Sequence, residues 1–313
     1  MRDPGDLVAR VEATGLLRAG EPVVVMLSGG RDSTCLLDLA VRIVGAEGVS
    51  ALHVNYGLRG AASDADEDHC RALCERLGVR IDVERAGEPE GNVQAWAREV
   101  RYAAGLRRAE ASGAVLAVGH TTDDQIETFL YRLATSPSRR ALYGMDVRRG
   151  RLARPLLAAG ISREQTAAWC RAHGLAWRED ASNVDPAFAR ARVRETLVPA
   201  LRAVDPRADA NVLRTIALLR EEGEVLDALV DEVLGGGEAI ELERLRSLPP
   251  ALARLVLRRL AEGATGRLAP RVARRLDDVL ALREGALDLG DGVRVRVRRG
   301  MLSVEPTPPL PNR

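Results

Sequence analysis

The stretch Val23-Val24-Val25-Met26-Leu27-Ser28-Gly29-Gly30-Arg31-Asp32-Ser33 decides the reading. Its first five residues are apolar and rich in β-branched valine, the composition of a short buried strand. Two glycines then allow a tight turn and let backbone N–H groups approach an anion closely. Apolar residues follow at Leu36, Leu37, Ala40, Val41 and Val44, a helical spacing, so the turn ends at a helix N-terminus whose dipole favours negative charge. Ser28 and Ser33 add hydroxyl donors. Asp32 would repel a bare anion, and its presence makes sense if a Mg²⁺ bridges it to phosphates. The Walker pattern GxxxxGK[ST] is absent. A plain strand-to-helix turn with a serine cap is the bland alternative, and six matching positions in the right context weigh against it.

Outward from this loop, apolar runs and helical patterns alternate. Val49–Val54, Val79–Val83 and Val115–Val118 read as further strands. Ala62–Leu77, a helix capped by Asn92 and running to Ala111, and Asp123–Ala134 read as the helices between and after them. Such alternation predicts an α/β fold, a doubly wound parallel sheet covered on both faces, with ligands beyond the carboxyl ends of the strands. From Pro155 the texture changes. Ser162 opens a helix with Glu164 and Gln165 in its first turn. Arg190–Leu201 reads as helical, and Asn211–Leu234 as a long amphipathic helix with Leu213, Ile216, Leu219, Leu226, Leu229 and Val233 on its apolar side. Two Arg-rich helices, Pro250–Glu262 and Pro270–Leu282, precede alternating strands near 293–297 and 301–304. The expected organisation is a catalytic domain over 1–208 and a linker helix plus small α+β domain over 209–313. The proline-rich tail from Pro306 to Arg313 is expected to fray.

Hydrophobic residues are 46% of the chain, enough for two cores, but aromatics are only 3%, which argues against base recognition by many stacked rings. The net charge of +1 gives no global basic excess, so any nucleic-acid partner must be held by local patches. Every basic side chain is arginine, a planar fork suited to phosphate. Cys35, Cys70, Cys74 and Cys170 form no CxxC pair and read as reduced, partly buried hydrophobes. The N-terminus is too charged for a secretory signal, and no stretch has transmembrane length without charges, so a cytoplasmic chain with no membrane partner is expected.

A second polar constellation is Gly119-His120-Thr121-Thr122-Asp123-Asp124-Gln125-Ile126-Glu127-Thr128. On a helix Asp123 and Glu127 share a face. Like charges so placed call for a cation, whether metal, arginine or a substrate ammonium. One of the aspartates is explained by the helix N-terminus alone. His120 by itself is equally readable as a core histidine after a strand. Arg139, Arg140, Arg148, Arg149, Arg151 and Arg154 form one basic cluster, and Arg190, Arg192 and Arg194 another. Charge runs are usually solvated surface, but both flank the predicted cleft, which favours RNA phosphate contacts through Arg139, Arg140, Arg190, Arg192 and Arg194. Arg294, Arg296 and Arg298 alternate with valines, and read equally as a contact surface or as the wet face of a two-layer fold.

The hexapeptide from Ser28 to Ser33 resembles the SGGxDS loop of the N-type ATP pyrophosphatases. The segment from Gly119 to Thr128 resembles the GHxxDDQxET motif of the bacterial tRNA(Ile)-lysidine synthase family within them. His53-Val54-Asn55-Tyr56-Gly57-Leu58-Arg59 resembles that family's HVNHGLR, with Tyr56 where histidine is usual. Arg98, Arg101 and Tyr102 resemble its RxxRY helix, and Arg154-Pro155-Leu156-Leu157 its RPLL. Trp177 to Asn183 with Phe188, Arg190, Arg192 and Arg194 resembles its W-x-x-D-x-S-N…RNxxR stretch, with Ala191 in place of asparagine. The likeness covers roughly residues 20 to 202. The family's glycine-rich loop after Arg132 is absent. The sequence there is Ala134-Thr135-Ser136-Pro137-Ser138-Arg139-Arg140, and Pro137 stiffens what glycine would loosen.

The resemblance implies ATP cleavage between the α and β phosphates with Mg²⁺, an adenylated tRNA(Ile) bearing the CAU anticodon, and attack by free L-lysine to form lysidine at the wobble cytidine. It implies ATP at Ser28, Gly29, Gly30, Arg31, Asp32 and Ser33, with the metal on Asp32. Arg98 and Arg101 become neutralisers of phosphate charge. Asp123, Asp124 and Glu127 become candidates for the lysine ammonium, for metal and for its proton. A homodimer is left open. Two rival readings are a tRNA thiolase of the same superfamily, which would want paired reactive cysteines, and a catalytically inactive RNA-binding protein that kept the fold.

Overall fold

The computed structural model describes residues 6–89, 91–136, 138–179, 188–269 and 271–308. Pro137, Asp180, Ser182, Asn183, Pro270 and the end of the tail, singled out above, lie outside the described residues. A first helix, α1 (Asp6–Ala13), precedes β1 (Val23–Met26), α2 (Arg31–Val44), β2 (Val49–Asn55), α3 (Ala61–Leu77), β3 (Arg80–Arg85), α4 (Val93–Ala111), β4 (Val115–Ala117) and α5 (Thr122–Thr135). A short hairpin of β5 (Arg148–Arg149) and β6 (Leu152–Ala153) leads to α6 (Pro155–Ala158) and α7 (Arg163–Ala172). Three helix starts have a local side-chain cause. The Asn92 carboxamide accepts from Ala95 N at 3.0 Å. Ser162 and Gln165 form a reciprocal capping box on α7, and Thr121 and Asp124 another on α5.

The six strands lie in the order β3-β2-β1-β4-β6-β5, parallel throughout except for β5 against β6. Val23 pairs with Val49 on one side and with Val115 on the other, which fixes the register of the three central strands. Side chains of β1 alternate between two cores, as strand geometry requires. Val23, Val25 and Leu27 pack with Leu36, Leu37 and Trp169, whereas Val24 and Met26 pack with Leu52, Ala104 and Leu116. The sheet is therefore buried on both faces. From β1 the chain builds outward to β3 and then returns to the other side of β1 with β4. The strand order reverses there, and a crevice opens beyond the carboxyl ends of β1 and β4.

After α7 the chain forms α8 (Ala189–Arg192), one wide π turn (Val193–Leu197), α9 (Val198–Val204) and the long α10 (Ala208–Leu234). Two compact units separate inside α10. The first ends at Ile216, and the second begins at Ala217 and includes Ser138–Arg140. The sequence reading placed this division at 208/209. It also gave α10 a single apolar stripe, and here the structure differs. Ala208, Val212, Ile216 and Val230 are the buried apolar residues, and Leu229 is 41% exposed. Val230 joins the core of the second unit, whereas Val212 and Ile216 precede the division, so one stripe does not serve the whole helix.

The second unit adds β7 (Ala239–Glu241), α11 (Leu242–Ser247), α12 (Pro250–Thr265), α13 (Leu276–Ala281), β8 (Gly285–Gly290), β9 (Val293–Arg298) and β10 (Met301–Pro306). Its antiparallel sheet has the order β7-β10-β9-β8. Val293, Val295 and Val297 face a core shared with Val256, Leu257 and Leu260 of α12. The arginines of β9 take the opposite face, where Arg296 pairs with Glu305 at 2.7 Å. No helix among the described residues is long and apolar enough to cross a membrane.

Candidate active site

The loop after β1 is held by its own hydroxyls. Leu27 N donates to Leu52 O at 2.9 Å, the last sheet bond before the turn. Ser28 N donates to Ser33 Oγ at 3.2 Å, the two serine hydroxyls lie 3.0 Å apart, and Ser33 Oγ donates to Gly30 O at 2.9 Å. Gly29 has φ +78°, and a Cβ there would stand 3.2 Å from Cys70 Sγ, so both conformation and space require glycine. Two residues beyond the end of β4 lies Gly119, where a Cβ would stand 3.0 Å from the backbone of Asp32 and Ser33. That missing side chain is what lets the two motifs meet.

Between them lies a cavity of about 500 Å³, lined by Ser28, Gly30, Arg31, Asp32, Ser33, Arg101, His120, Asp124, Arg163 and Arg194, with Leu52 and Val54 among its apolar residues. Asp32 Oδ1 accepts from Thr166 Oγ1 at 2.5 Å and from Arg31 Nε at 3.2 Å. Its Oδ2 has Arg163 Nε at 3.7 Å, beyond hydrogen-bond reach. Burial pushes the Asp32 carboxyl above the usual carboxylate range, against the Thr166 hydrogen bond and the Arg31 charge.

The acidic motif on α5 is held by arginines. Arg163, the first residue of α7, donates Nη1 to Glu127 Oε1 and Nη2 to Asp124 Oδ1, and its backbone N donates to Asp123 Oδ2 at 2.8 Å. Arg194 forks onto Glu127, with Nε to Oε1 at 2.8 Å and Nη2 to Oε2 at 3.0 Å. Arg202 reaches Asp123 Oδ1 at 2.9 Å and also Asp209. Against the upward push of burial, Arg163 holds the Asp124 carboxyl below its ordinary value. Of the three cations the sequence allowed for this motif, the structure supplies arginine. Arg163 links Asp32 of the phosphate-type loop to Asp124 and Glu127. It was missed as a site residue, although the Ser162–Gln165 capping signature had placed it at a helix start.

The other predicted positions divide. Arg101 lines the cavity, and the Arg98 and Arg101 guanidiniums lie 4.7 and 5.6 Å from the Tyr102 ring centroid. Arg154 is buried and donates Nε to His120 Nδ1 at 3.1 Å. Arg190 donates to Thr128 Oγ1 at 3.3 Å, and Arg192 is exposed on α8. Arg139 and Arg140 belong to the second unit, where Arg140 pairs with Asp227 and Glu262, both at 2.7 Å. All four cysteines are free and buried. Arg178 was also missed. Its N donates to Gly29 O at 2.9 Å, and its Nε donates to Asp66.

The PP-loop domain family matches residues 8–201. A curated tRNA(Ile)-lysidine synthase of Salinispora arenicola is 39% identical over 312 residues, covering 92% of each chain. The chain belongs to this family. A second curated member, from Pseudomonas fluorescens (strain Pf0-1), is 41% identical over 213 residues, 66% of this chain and 47% of the relative. The chain thus spans about half the length of the Pseudomonas members of the family it matches. Among solved structures, the U34-tRNA thiolase NcsA from Methanococcus maripaludis with its [4Fe-4S] cluster gives a TM-score of 0.56 at 18% identity, over 69% of this chain and 78% of that one. That likeness is one of fold alone; the family match over residues 8–201 is what places the loop of Ser28–Ser33 in an ATP-binding PP-loop domain.

Proposed function

We propose that the chain ligates lysine to C2 of the wobble cytidine of tRNA(Ile) with the CAU anticodon, in two steps on one ATP. In the first, the cytidine C2 oxygen attacks the α-phosphorus, the α–β bond breaks and pyrophosphate leaves. In the second, the neutral ε-amine of lysine attacks C2, the C2–O bond breaks and AMP leaves. The amine proton passes to a carboxylate or to phosphate. The observation that carries this reading is the meeting of a phosphate-type loop and Asp124 of the acidic motif in one cavity, joined through Arg163, which also holds the buried Glu127.

Each residue has a task that follows from its place. Backbone N–H groups of the loop, with the Ser28 and Ser33 hydroxyls, receive phosphate oxygens. Arg101, aided by Arg98, offsets charge on the departing pyrophosphate. Asp32 fits a magnesium site because its Oδ2 is a hard oxygen at the cavity with no hydrogen bond from Arg163. Magnesium bound there neutralises phosphate charge. The lysine ammonium takes over one guanidinium contact on Glu127 or Asp124, since both carboxylates are already filled by Arg163, Arg194 and Thr121.

The cysteines support ligation over thiolation. Burial pushes the Cys70 and Cys74 thiols up to about 12, which disfavours thiolate chemistry. The deciding experiment incubates the protein with ATP, Mg²⁺, lysine and a tRNA(Ile) transcript carrying CAU, then digests the tRNA and weighs its nucleosides. Cytidine converted to lysidine, dependent on all three small components, is the expected result. Tight tRNA binding without pyrophosphate release would leave the inactive RNA-binding reading.

A further inference from the structure

His120 has a settled tautomer, and the setting comes from an arginine. A guanidinium N–H donates and never accepts. Arg154 Nε–H points at His120 Nδ1 from 3.1 Å, so Nδ1 holds its lone pair and the ring proton sits on Nε2. Arg154 cannot turn away, because its Nη1 donates to Asp146 O at 2.5 Å, its backbone N donates to Val147 O at 2.8 Å, and the residue is buried. The ring lines the cavity. Its neighbour Gly119 lies so near the backbone of Asp32 and Ser33 that a Cβ would stand 3.0 Å from it, and Ser28, Asp32 and Ser33 line the same cavity as the imidazole.

We propose that His120 is a permanent neutral hydrogen-bond donor that gives its Nε2–H to a phosphate oxygen of the bound nucleotide, with Arg154 as the positioning residue that fixes the tautomer. This rests on the reading that nucleotide phosphates occupy the cavity. It also assigns His120 a negative role: with Nδ1 engaged and Nε2 already protonated, the ring cannot take the proton of the attacking amine. The surrounding charges agree. Burial pushes His120 down to about 3, with Asp124 opposing and Arg154, Arg101 and Arg98 adding to the fall. A neutral donor among three arginines suits an oxyanion without adding a titrating charge.

The test begins with the full chain labelled in its imidazole nitrogens. It has four histidines, so the His120 signals can be assigned by comparison with H120Q. The expected spectrum shows a protonated Nε2 and a bare Nδ1, unchanged across neutral pH, and a shift of the Nε2–H resonance on saturation with ATP. A proton on Nδ1, or titration near the ordinary histidine value, would overturn the tautomer. ATP binding that leaves Nε2–H unmoved would overturn the phosphate contact while leaving the nucleotide reading intact. Failure of ATP to bind at all would instead sink the nucleotide reading and the proposal with it. Among variants, H120Q puts an amide N–H near the Nε2 position and should keep most pyrophosphate release. H120N, whose amide sits near Nδ1, should lose roughly 100- to 1,000-fold. Equal losses in both would reduce His120 to a packing residue. R154M removes the donor at Nδ1 and should let the ring proton exchange between the two nitrogens, so the spectrum should show mixed tautomers and pyrophosphate release should fall. If R154M does not fold, the wild-type spectrum and the Gln/Asn pair still decide.

Discussion

Arg163 explains how Asp124 and Glu127 coexist on one helix face before any substrate arrives. Glu127 is 4% exposed and carries two guanidiniums, so it is a buried ion pair as well as a candidate ligand. Breaking such a pair from one side costs about 3–5 kcal/mol. Glu127→Gln is therefore expected to lower the melting temperature, to let adenylated tRNA accumulate and to raise the lysine requirement. Single-turnover assays following pyrophosphate release and lysine incorporation separately would check this. Loss of both steps together, insensitive to added lysine, would move Glu127 to the metal. Asp32 behaves in the opposite way. Burial raises its carboxyl above the unfolded value, so its contribution favours the fold only below the unfolded pKa and is gone once pH rises through the folded one. At neutral pH its charge strains the fold, and Asp32→Asn keeps an oxygen for Thr166. The expected outcome is loss of pyrophosphate release with an undiminished melting temperature, read by calorimetry. A clearly destabilised variant would mean that Asp32 is structural.

At the scale of elements, the site depends on how closely β4 approaches the loop after β1. Gly119→Ala would drive a Cβ to 3.0 Å from backbone atoms of Asp32 and Ser33, which have no rotamer with which to yield. Overpacking of this kind costs about 1–3 kcal/mol. The expected result is weaker ATP binding together with a lower melting temperature. Unchanged ATP affinity by calorimetric titration would show that the loop tolerates the shift. The same elements show what a sequence can disclose. β1 and β2 fell within a residue of Val23–Leu27 and Val49–Val54, and α4 began at its Asn92 cap, because apolar runs and caps are local signals. The β5–β6 hairpin was not legible. Two residues per strand show no alternation, and β6 owes its place to pairing with β4. The helix expected over Arg190–Leu201 is present, continuous from Ala189 to Val204, but it carries an unforeseen wide turn at Val193–Leu197, from which Arg194 reaches Glu127. The acidic motif was legible as needing a cation, but its owner was not. Arg163 lies 36 residues beyond Glu127, and only the fold of α7 against α2 and the loop brings them together.

Across the whole molecule, 46 arginines face 45 acids, so RNA cannot be drawn in by bulk charge. Several arginines are also committed to internal pairs, Arg140, Arg194, Arg202 and Arg296 among them. Arg192 and Arg194, two residues apart and both expected to meet tRNA phosphate, differ in burial. Arg192 is exposed on α8. Arg194 is half-buried against Glu127. Arg192→Glu should weaken tRNA binding for any sequence and reduce the slope of log K against log salt by about 0.9 for one lost contact to a duplex-like region. ATP binding should be unaffected. Arg194→Glu should act otherwise, because it sets a carboxylate against the buried Glu127 and leaves Asp124 and Glu127 to Arg163 alone. Its expected effect is a lower melting temperature and loss of lysine incorporation, with the salt slope of tRNA binding kept. Fluorescence titrations of labelled tRNA at four or more salt concentrations would measure both. A flattened slope for Arg194→Glu with an intact one for Arg192→Glu would reverse the assignment and put the wide turn, rather than the exposed face of α8, against the RNA backbone.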